Sequence, residues 1–331
     1  MEANKRIEKW DILKFFLIFL VVLGHLIEVF GGGSEHMNAA LFWIYTFHMP
    51  LFIFISGMFS KKTVNEKRYD KMAVFLFLFF IIKIILFVSR IIAYGTFSLS
   101  FLQNNDLPWY MLAMFIFSLV TVALRKFSPA YIFPLIILIA CVAGYDSEIG
   151  DKFAAMRLIV FYPFFYAGYC LEPKKVMEFT DRKYVKIISA VVLIAFTVVV
   201  ITKINFLFQF KPLLAGRGNF SSLKDYGKYG CFFRLLYYIF VFVIGTAVIS
   251  LTPNRLTSKG IISKMGSRSI QVYTLHYVFI HFADGRLKNI ITTVPPAAAI
   301  IVMSVIITLV CSLKFWEPLF KLIMNPLRKE K

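Results

Sequence analysis

Repeated apolar runs, each about 18–22 residues long, constrain this chain more than any other feature of its sequence. A run of about 20 apolar residues, rising 1.5 Å per residue, is long enough to cross the hydrocarbon core of a bilayer. A helix satisfies its own backbone hydrogen bonds, so it can form such a segment. The composition agrees, with 59% hydrophobic and only 17% charged residues. We therefore predict an all-α, polytopic membrane protein that forms a single domain over residues 1–331.

The apolar pattern divides into about ten transmembrane spans joined by short connections. The net charge of +19 lies mostly in these connections, so it indicates topology and gives no reason to expect a nucleic-acid partner. Lys and Arg are concentrated in the connections that share one side with both ends of the chain, which predicts cytoplasmic termini. The predicted spans cover residues 12–30, 39–60, 72–94, 109–124, 129–145, 157–171, 187–204, 231–251, 268–283 and 295–313.

The first apolar run carries a polar stripe. Asp11 and Lys14 lie near its start, and His25 and Glu28 lie near its end. At about 100° per residue, the eleven steps from Lys14 to His25 return to within about 20° of the same direction, about 16 Å further along the axis. Ionisable groups inside a membrane are costly and mark candidate functional sites. The competing interpretation is an interfacial Asp11–Lys14 pair and a histidine that only hydrogen-bonds to a neighbouring helix.

A second histidine lies in the next span, at His48. Residues 31–38 form a short connection, so the first two spans should be antiparallel neighbours with His25 and His48 at similar depth. Pro50 follows two residues later and is tolerated in membrane helices, where it can bend the backbone. The competing interpretation of His48 is a packing histidine hydrogen-bonded across helices.

Further candidates are basic or aromatic residues at membrane depth. Lys83 and Arg90 lie on nearly the same face of the third span and predict an anionic partner, although Arg90 can also extend towards the interface. Trp109 is either an ordinary interfacial aromatic residue or part of a substrate site. Tyr273 and His276 lie three residues apart on one side of the ninth span.

The long outer connection after the seventh span, residues 205–230, is a second source of candidates. Such connections tend to be lids or binding loops, and this one carries Arg217 among glycines. Arg234 follows just inside the next span. The composition of the connection would suit a sugar, but an ordinary solvated loop can have the same composition.

Taken together, these segments resemble the bacterial acyltransferase family 3, particularly the branch like fucose 4-O-acetylase. The resemblance runs from about residue 6 to residue 315. The family more often has Arg where this chain has Lys14, and Lys binds phosphate as a point charge without bidentate geometry. The motifs that carry the resemblance are D-x-x-K-x10-H at Asp11, Lys14 and His25, FHMPLFIFISG at 47–57, PWYMLAM at 108–114, FFYAGYCL at 164–171 and IQVYTLHY at 270–277.

The resemblance implies O-acylation, usually O-acetylation, of a cell-envelope sugar, glycolipid or polysaccharide in the bacterial cytoplasmic membrane. Acetyl-CoA or another acyl-CoA would be the cytoplasmic donor, with no permanently bound cofactor and no metal. The expected partners are membrane lipid, the donor and the acceptor, and homo-oligomerisation stays open. The expected catalytic residues are His25 as general base, Lys14 on the CoA phosphates, Asp11 orienting Lys14, and His48. The expected substrate-binding residues are Lys83, Arg90, Trp109, Arg217, Arg234, Tyr273 and His276.

Two other functions compete with acyl transfer. A transporter or flippase for a glycan, a lipid-linked sugar or an acidic small molecule would use intramembrane cations and histidines as relay or substrate sites. Transporters often contain an internal repeat with paired broken helices, and the His-bearing first two spans have no matching pair in the second half of the chain. A membrane scaffold or sensor explains the apolar spans but not the polar stripe.

Overall fold

The computed structural model describes residues 8–95, 108–146, 148–149, 154–256, 260–287 and 296–324. Throughout these ranges the regular secondary structure is helical. The α-helices are α1 (Glu8–Phe30), α2 (Glu35–Asn65), α3 (Tyr69–Tyr94), α4 (Trp109–Leu124), α5 (Pro129–Val142), α6 (Ala155–Cys170), α7 (Pro173–Thr180), α8 (Lys183–Leu207), α9 (Lys211–Ala215), α10 (Gly230–Leu251), α11 (Ile261–Gly266), α12 (Ser269–Phe282), α13 (Pro296–Cys311) and α14 (Glu317–Met324).

Each predicted span coincides with a helix, and the all-α fold is confirmed. Within the described part of the chain, five helical segments are long and apolar enough to cross a membrane, and α13 with α14 adds a sixth if this pair, bent by 43°, is one span. The others are shorter: α4, with 16 residues, is about 24 Å long, against about 30 Å of hydrocarbon. Ten crossings and cytoplasmic termini therefore stay predictions.

Two glycines allow α2 and α6 to pack with their backbones in contact. A Cβ atom at Gly57 would collide with the carbonyl group of Phe165, and one at Gly168 would collide with that of Phe54. Each helix thus presents a glycine to the backbone of the other, as at close crossings of membrane helices. This crossing fixes α2, which carries His48, against the core.

Helix α1 lies inside the bundle, in contact with α2, α11, α12 and α13. Its apolar side chains Leu13, Leu17, Val22 and Leu26 are fully buried. Near its start, the backbone carbonyl of Asp11 lies so close to α11 that a Cβ atom at Gly266 would collide with it. Asp11 is buried and the side chains of Lys14, His25 and Glu28 are at most 26% exposed, so the polar stripe of α1 faces mostly protein.

The start of α1 is anchored by a buried ion pair. Lys9 is fully buried, and its Nζ lies 2.8 Å from Oδ1 of Asp181, between α7 and α8. Asp181 also accepts a hydrogen bond from Asn254 and pairs with Lys186 at 3.2 Å. Burial raises the pKa of the Asp181 carboxyl group, but the hydrogen bonds from Lys9, Asn254 and Lys186 outweigh it, so this pKa lies below its ordinary value.

The outer connection between α8 and α10 differs from the open loop that its composition predicts. It consists of 3-10 turns at Phe208–Phe210 and Phe220–Tyr229 on either side of α9. Phe210, Leu213 and Leu214 are buried, so the connection packs onto the bundle. The apolar residues continue at helical spacing beyond α8, which is why the chain continues as helical turns through α9, to Ala215.

Candidate active site

His25 is hydrogen-bonded through one of its two ring nitrogens. Its Nδ1 lies 3.0 Å from the hydroxyl of Tyr277 on α12 and 3.4 Å from Oε2 of Glu28. Glu28 is three residues further along α1, so the helix places both side chains on one face. Two oxygens beside Nδ1 favour the tautomer with the proton on that atom, which leaves the Nε2 lone pair to accept a proton.

Glu28 is held by groups from three helices. Besides His25, its carboxylate pairs with Nζ of Lys211 on α9 at 3.0 Å and with the hydroxyl of Tyr45 on α2. The Glu28 side chain is 26% exposed. A base oriented by a third group is the arrangement found at many acyl-transfer sites. Glu28, with Oε2 3.4 Å from Nδ1 of His25, lies where a carboxylate can orient an imidazole.

Two further histidines surround His25. The His276 ring stacks on the His25 ring with centroids 5.6 Å apart, and His48 lies within electrostatic range of His25. Nδ1 of His276 and Nδ1 of His48 each lie 2.8 Å from a carbonyl oxygen four residues earlier, which places a proton on Nδ1 in both rings. His276 Nε2 is buried and has no hydrogen-bond partner among the described residues. His25, His48 and His276, with Glu28, form what we call the histidine cluster.

The other end of the stripe holds an ion pair. Nζ of Lys14 lies 2.8 Å from Oδ1 of Asp11, and the Lys14 side chain is 26% exposed. Between Lys14 and His25, the same face of α1 presents Ile18 and Val21 to a cavity of about 20 Å³, room for about one water molecule. The remaining walls of the cavity come from helices α2, α4 and α12. Their lining residues are Met49, Phe52, Tyr110, Met111, Ser269, Ile270 and Tyr273.

The chain matches the acyltransferase domain family, acyltransferase 3, over residues 7–315. It therefore belongs to the acyltransferase 3 family. The match includes the stripe of α1, the histidine cluster and the outer connection. With the long apolar helices, membership makes this chain an integral-membrane acyltransferase at the level of its family.

Two curated proteins are similar to part of this acyltransferase. A nodulation protein NolL of Sinorhizobium fredii is 42% identical over 69 residues, which are 19% of this chain and 18% of that protein. A nodulation protein NolL of Mesorhizobium japonicum is 36% identical over 72 residues, 21% of this chain and 19% of that protein. The chain thus matches less than a fifth of the length of these relatives. No solved structure matches the chain.

Of the seven predicted substrate-binding residues, His276 belongs to the histidine cluster, Tyr273 lies beside it, and two lie on α3. Tyr273 lines the cavity, with its ring 6.2 Å from that of His276. Lys83 is buried, with Nζ 5.9 Å from the Phe79 ring. Arg90 is half-buried, near Tyr94.

Three others lie on α4, in the outer connection and on α10. The guanidinium of Arg157, on α6, lies 5.2 Å from the centre of the Trp109 ring, and this ring also stacks on Phe161 of α6. Arg217 is exposed, within electrostatic range of Tyr45. Arg234 is buried, and its Nη1 donates to the carbonyl of Leu213 at 3.1 Å, which ties it to α9 and not to the histidine cluster.

Four residues of this site were not predicted as site residues from the sequence. Glu28 had a signal, because His-x-x-Glu on a helix puts the two side chains on one face. Tyr277 follows His276 directly in a motif segment. Tyr45 and Lys211 have no local signal, since only the packing of α2 and α9 against the end of α1 brings them to Glu28.

Proposed function

We propose that this chain transfers an acetyl or other short acyl group from cytoplasmic acyl-CoA to a hydroxyl of a cell-envelope sugar, glycolipid or polysaccharide. Membership of the acyltransferase 3 family supports acyl transfer. The observation that carries the proposal is the His25–Glu28 pair at one end of the α1 stripe. The sugar acceptor and the bacterial cytoplasmic membrane follow from the resemblance to the branch like fucose 4-O-acetylase.

His25 has the properties that this reaction needs. A sugar hydroxyl is a weak nucleophile, so its attack on a thioester requires a base that works near neutral pH. Nε2 of His25 takes the hydroxyl proton while the sugar oxygen bonds to the acyl carbon. The carbon–sulfur bond then breaks, and the same proton passes from His25 to the CoA thiolate. Glu28 holds the ring in the required tautomer and stabilises the imidazolium that forms between the two steps.

The α1 stripe suits a donor that enters from the cytoplasm. Lys14, oriented by Asp11, would bind CoA phosphates, and the acyl end would reach His25 about 16 Å away along the helix. Ile18 and Val21 offer an apolar wall to the part of the acyl-CoA that would lie between Lys14 and His25. The cavity there holds about one water molecule, so donor entry requires the lining side chains to move.

The acceptor would approach the outer half of the cluster. Nε2 of His276 would accept a hydrogen bond from a sugar hydroxyl, because its Nδ1 proton is committed to the Val272 carbonyl and Nε2 has no hydrogen-bond partner among the described residues. His48 and Tyr273 complete this surface. Lys83, Arg90 and Arg217 would bind an anionic group of the substrate or the developing oxyanion.

The test uses the full chain in nanodiscs, with binding and hydrolysis of radiolabelled acetyl-CoA as readouts. We expect His25→Ala to bind acetyl-CoA but to lose turnover, and Lys14→Ala to bind it more weakly. His36→Ala and Lys62→Ala are matched controls, because both side chains are exposed and lie outside the proposed site. Both controls should behave as the wild type.

Two outcomes would contradict the proposal. Unchanged turnover in His25→Ala would remove the assigned base. A wild-type protein that binds neither acetyl-CoA nor longer acyl-CoA donors would favour transport, and flux of labelled sugars into liposomes would then be measured.

A further inference from the structure

Lys211 reaches the candidate active site from the outer connection. Its Nζ lies 3.0 Å from Oε1 of Glu28, and both side chains are 26% exposed. The ammonium also lies 5.5 Å from the Tyr45 ring and 5.6 Å from the Phe208 ring. Tyr45 itself bonds to Glu28, so Lys211, Tyr45 and Glu28 form one packed group beside His25.

The helix that carries Lys211 is fixed to the core. In α9, Leu213 and Leu214 are buried. Nη1 of the buried Arg234 donates to the Leu213 carbonyl at 3.1 Å. Gly216 ends α9 in the left-handed region at φ +62°, where a Cβ atom would press on the Phe161 ring. Lys211 is therefore presented by an anchored segment rather than by a free loop.

We propose that Lys211 is a positioning residue for acyl transfer: its ammonium holds the Glu28 carboxylate against Nδ1 of His25 and balances its charge. This inference rests on the proposed function and adds a residue to it. A carboxylate with no counter-charge beside an imidazole favours the imidazolium, which cannot act as a base. A cation on the far side of that carboxylate offsets the effect and keeps the carboxylate in place.

The groups that face His25 come from several helices. Glu28 lies on α1, Tyr45 and His48 on α2, and His276 and Tyr277 on α12. The nearby cations of the outer connection are Lys211 and Arg217. Of these two, Lys211 makes the 3.0 Å ion pair with Glu28, so its removal changes the charge beside His25 most directly.

The sign of the effect follows from this arrangement. Replacing Lys211 by Met removes a positive charge near His25 and leaves Glu28 without its counter-ion. The imidazolium then becomes more favourable, so the acid limb of the pH–rate profile should move to higher pH by about one unit. Turnover should fall roughly tenfold on the acid side of the profile and recover towards the wild-type rate at higher pH.

The experiment measures acetyl-CoA turnover in nanodiscs from pH 5.5 to pH 9. It compares the wild type with Lys211→Met, Lys211→Arg, Glu28→Gln and the Glu28→Gln/Lys211→Met double variant. Arginine should restore the wild-type profile, because it keeps the charge. In the Glu28→Gln background the Lys211→Met change should have no further effect, since Lys211 acts through Glu28. Lys228→Met is the matched control, because Lys228 is an exposed lysine of the same connection.

Three results would overturn the inference while leaving the proposed function intact. One is a Lys211→Met pH–rate profile whose acid limb lies at the wild-type pH, whatever the maximal turnover. Another is additive loss in the double variant. The third is a Lys211→Arg profile that matches Lys211→Met, which would indicate a packing role. Failure of the proposed function is recognised separately, because the wild type and His25→Ala would then show the same turnover.

Discussion

Replacing Glu28 by Gln tests the His25–Glu28 pair at nearly constant side-chain volume. Two unit charges 3.4 Å apart interact by about 5 kcal/mol at an effective dielectric constant of about 20. Both side chains are partly exposed, 19% for His25 and 26% for Glu28, and solvent screening reduces this energy to about 2–3 kcal/mol. That energy stabilises the imidazolium formed when the hydroxyl is deprotonated. We therefore expect kcat for acetyl-CoA turnover to fall about 30- to 150-fold.

The assay follows release of the CoA thiol at saturating acetyl-CoA, with the protein in nanodiscs. Binding of acetyl-CoA should be unchanged, because Glu28 lies about 21 Å along the helix from Lys14. Glu35→Gln is the matched control: Glu35 is an exposed carboxylate at the start of α2 that bonds to Asn205. A kcat of Glu28→Gln within threefold of wild type, or an equal loss in Glu35→Gln, would show that Glu28 does not stabilise the imidazolium.

Three further predictions concern packing, the anchor of α1 and the donor. Gly57→Leu should lower the free energy of unfolding in detergent by about 1–3 kcal/mol or prevent folding. Gly245→Ala should do neither, because the added Cβ atom meets only the side chain of Leu51, which can move. Asp181→Asn leaves buried Lys9 without its carboxylate and should cost about 3 kcal/mol at pH 7. The pKa of Asp181 is lower in the folded than in the unfolded chain. The contribution of its carboxylate to the free energy of unfolding is therefore complete above about pH 4 and is lost as the pH falls through the folded-state pKa. Below that pH, the unfolding curves of wild type and Asp181→Asn should converge. Lys14→Ala should weaken acetyl-CoA binding roughly tenfold in a filter-binding assay, and Lys14→Arg should retain it.

The helices and the stripe could be predicted because they depend on local pattern. Apolar runs of spanning length locate the helix ends to within a few residues, as for α3 at Tyr69–Tyr94 against the predicted 72–94. The periodicity of a helix is enough to align Lys14 with His25. Neither inference requires knowledge of which helix lies next to which.

The partners of Glu28 and His25 could not be predicted in this way, because they depend on tertiary packing. Lys211 is 183 residues from Glu28 in sequence, and Tyr277 is 252 residues from His25. Arg234 shows the opposite difficulty. A cation at membrane depth predicts an anionic ligand, but a guanidinium can also be satisfied by a carbonyl and aromatic rings, here those of Leu213, Phe220 and Tyr237.

The most direct test of the central claim is detection of the transferred acyl group itself. Wild type and His25→Gln in nanodiscs would be mixed with carbon-13-labelled acetyl-CoA and methyl glycosides of fucose, glucose and galactose, and the sugars analysed by mass spectrometry. We expect an O-acetyl ester carrying the label on at least one glycoside with wild type and with the exposed-histidine control His36→Ala, and none with His25→Gln. Equal ester formation by wild type and His25→Gln would contradict this expectation.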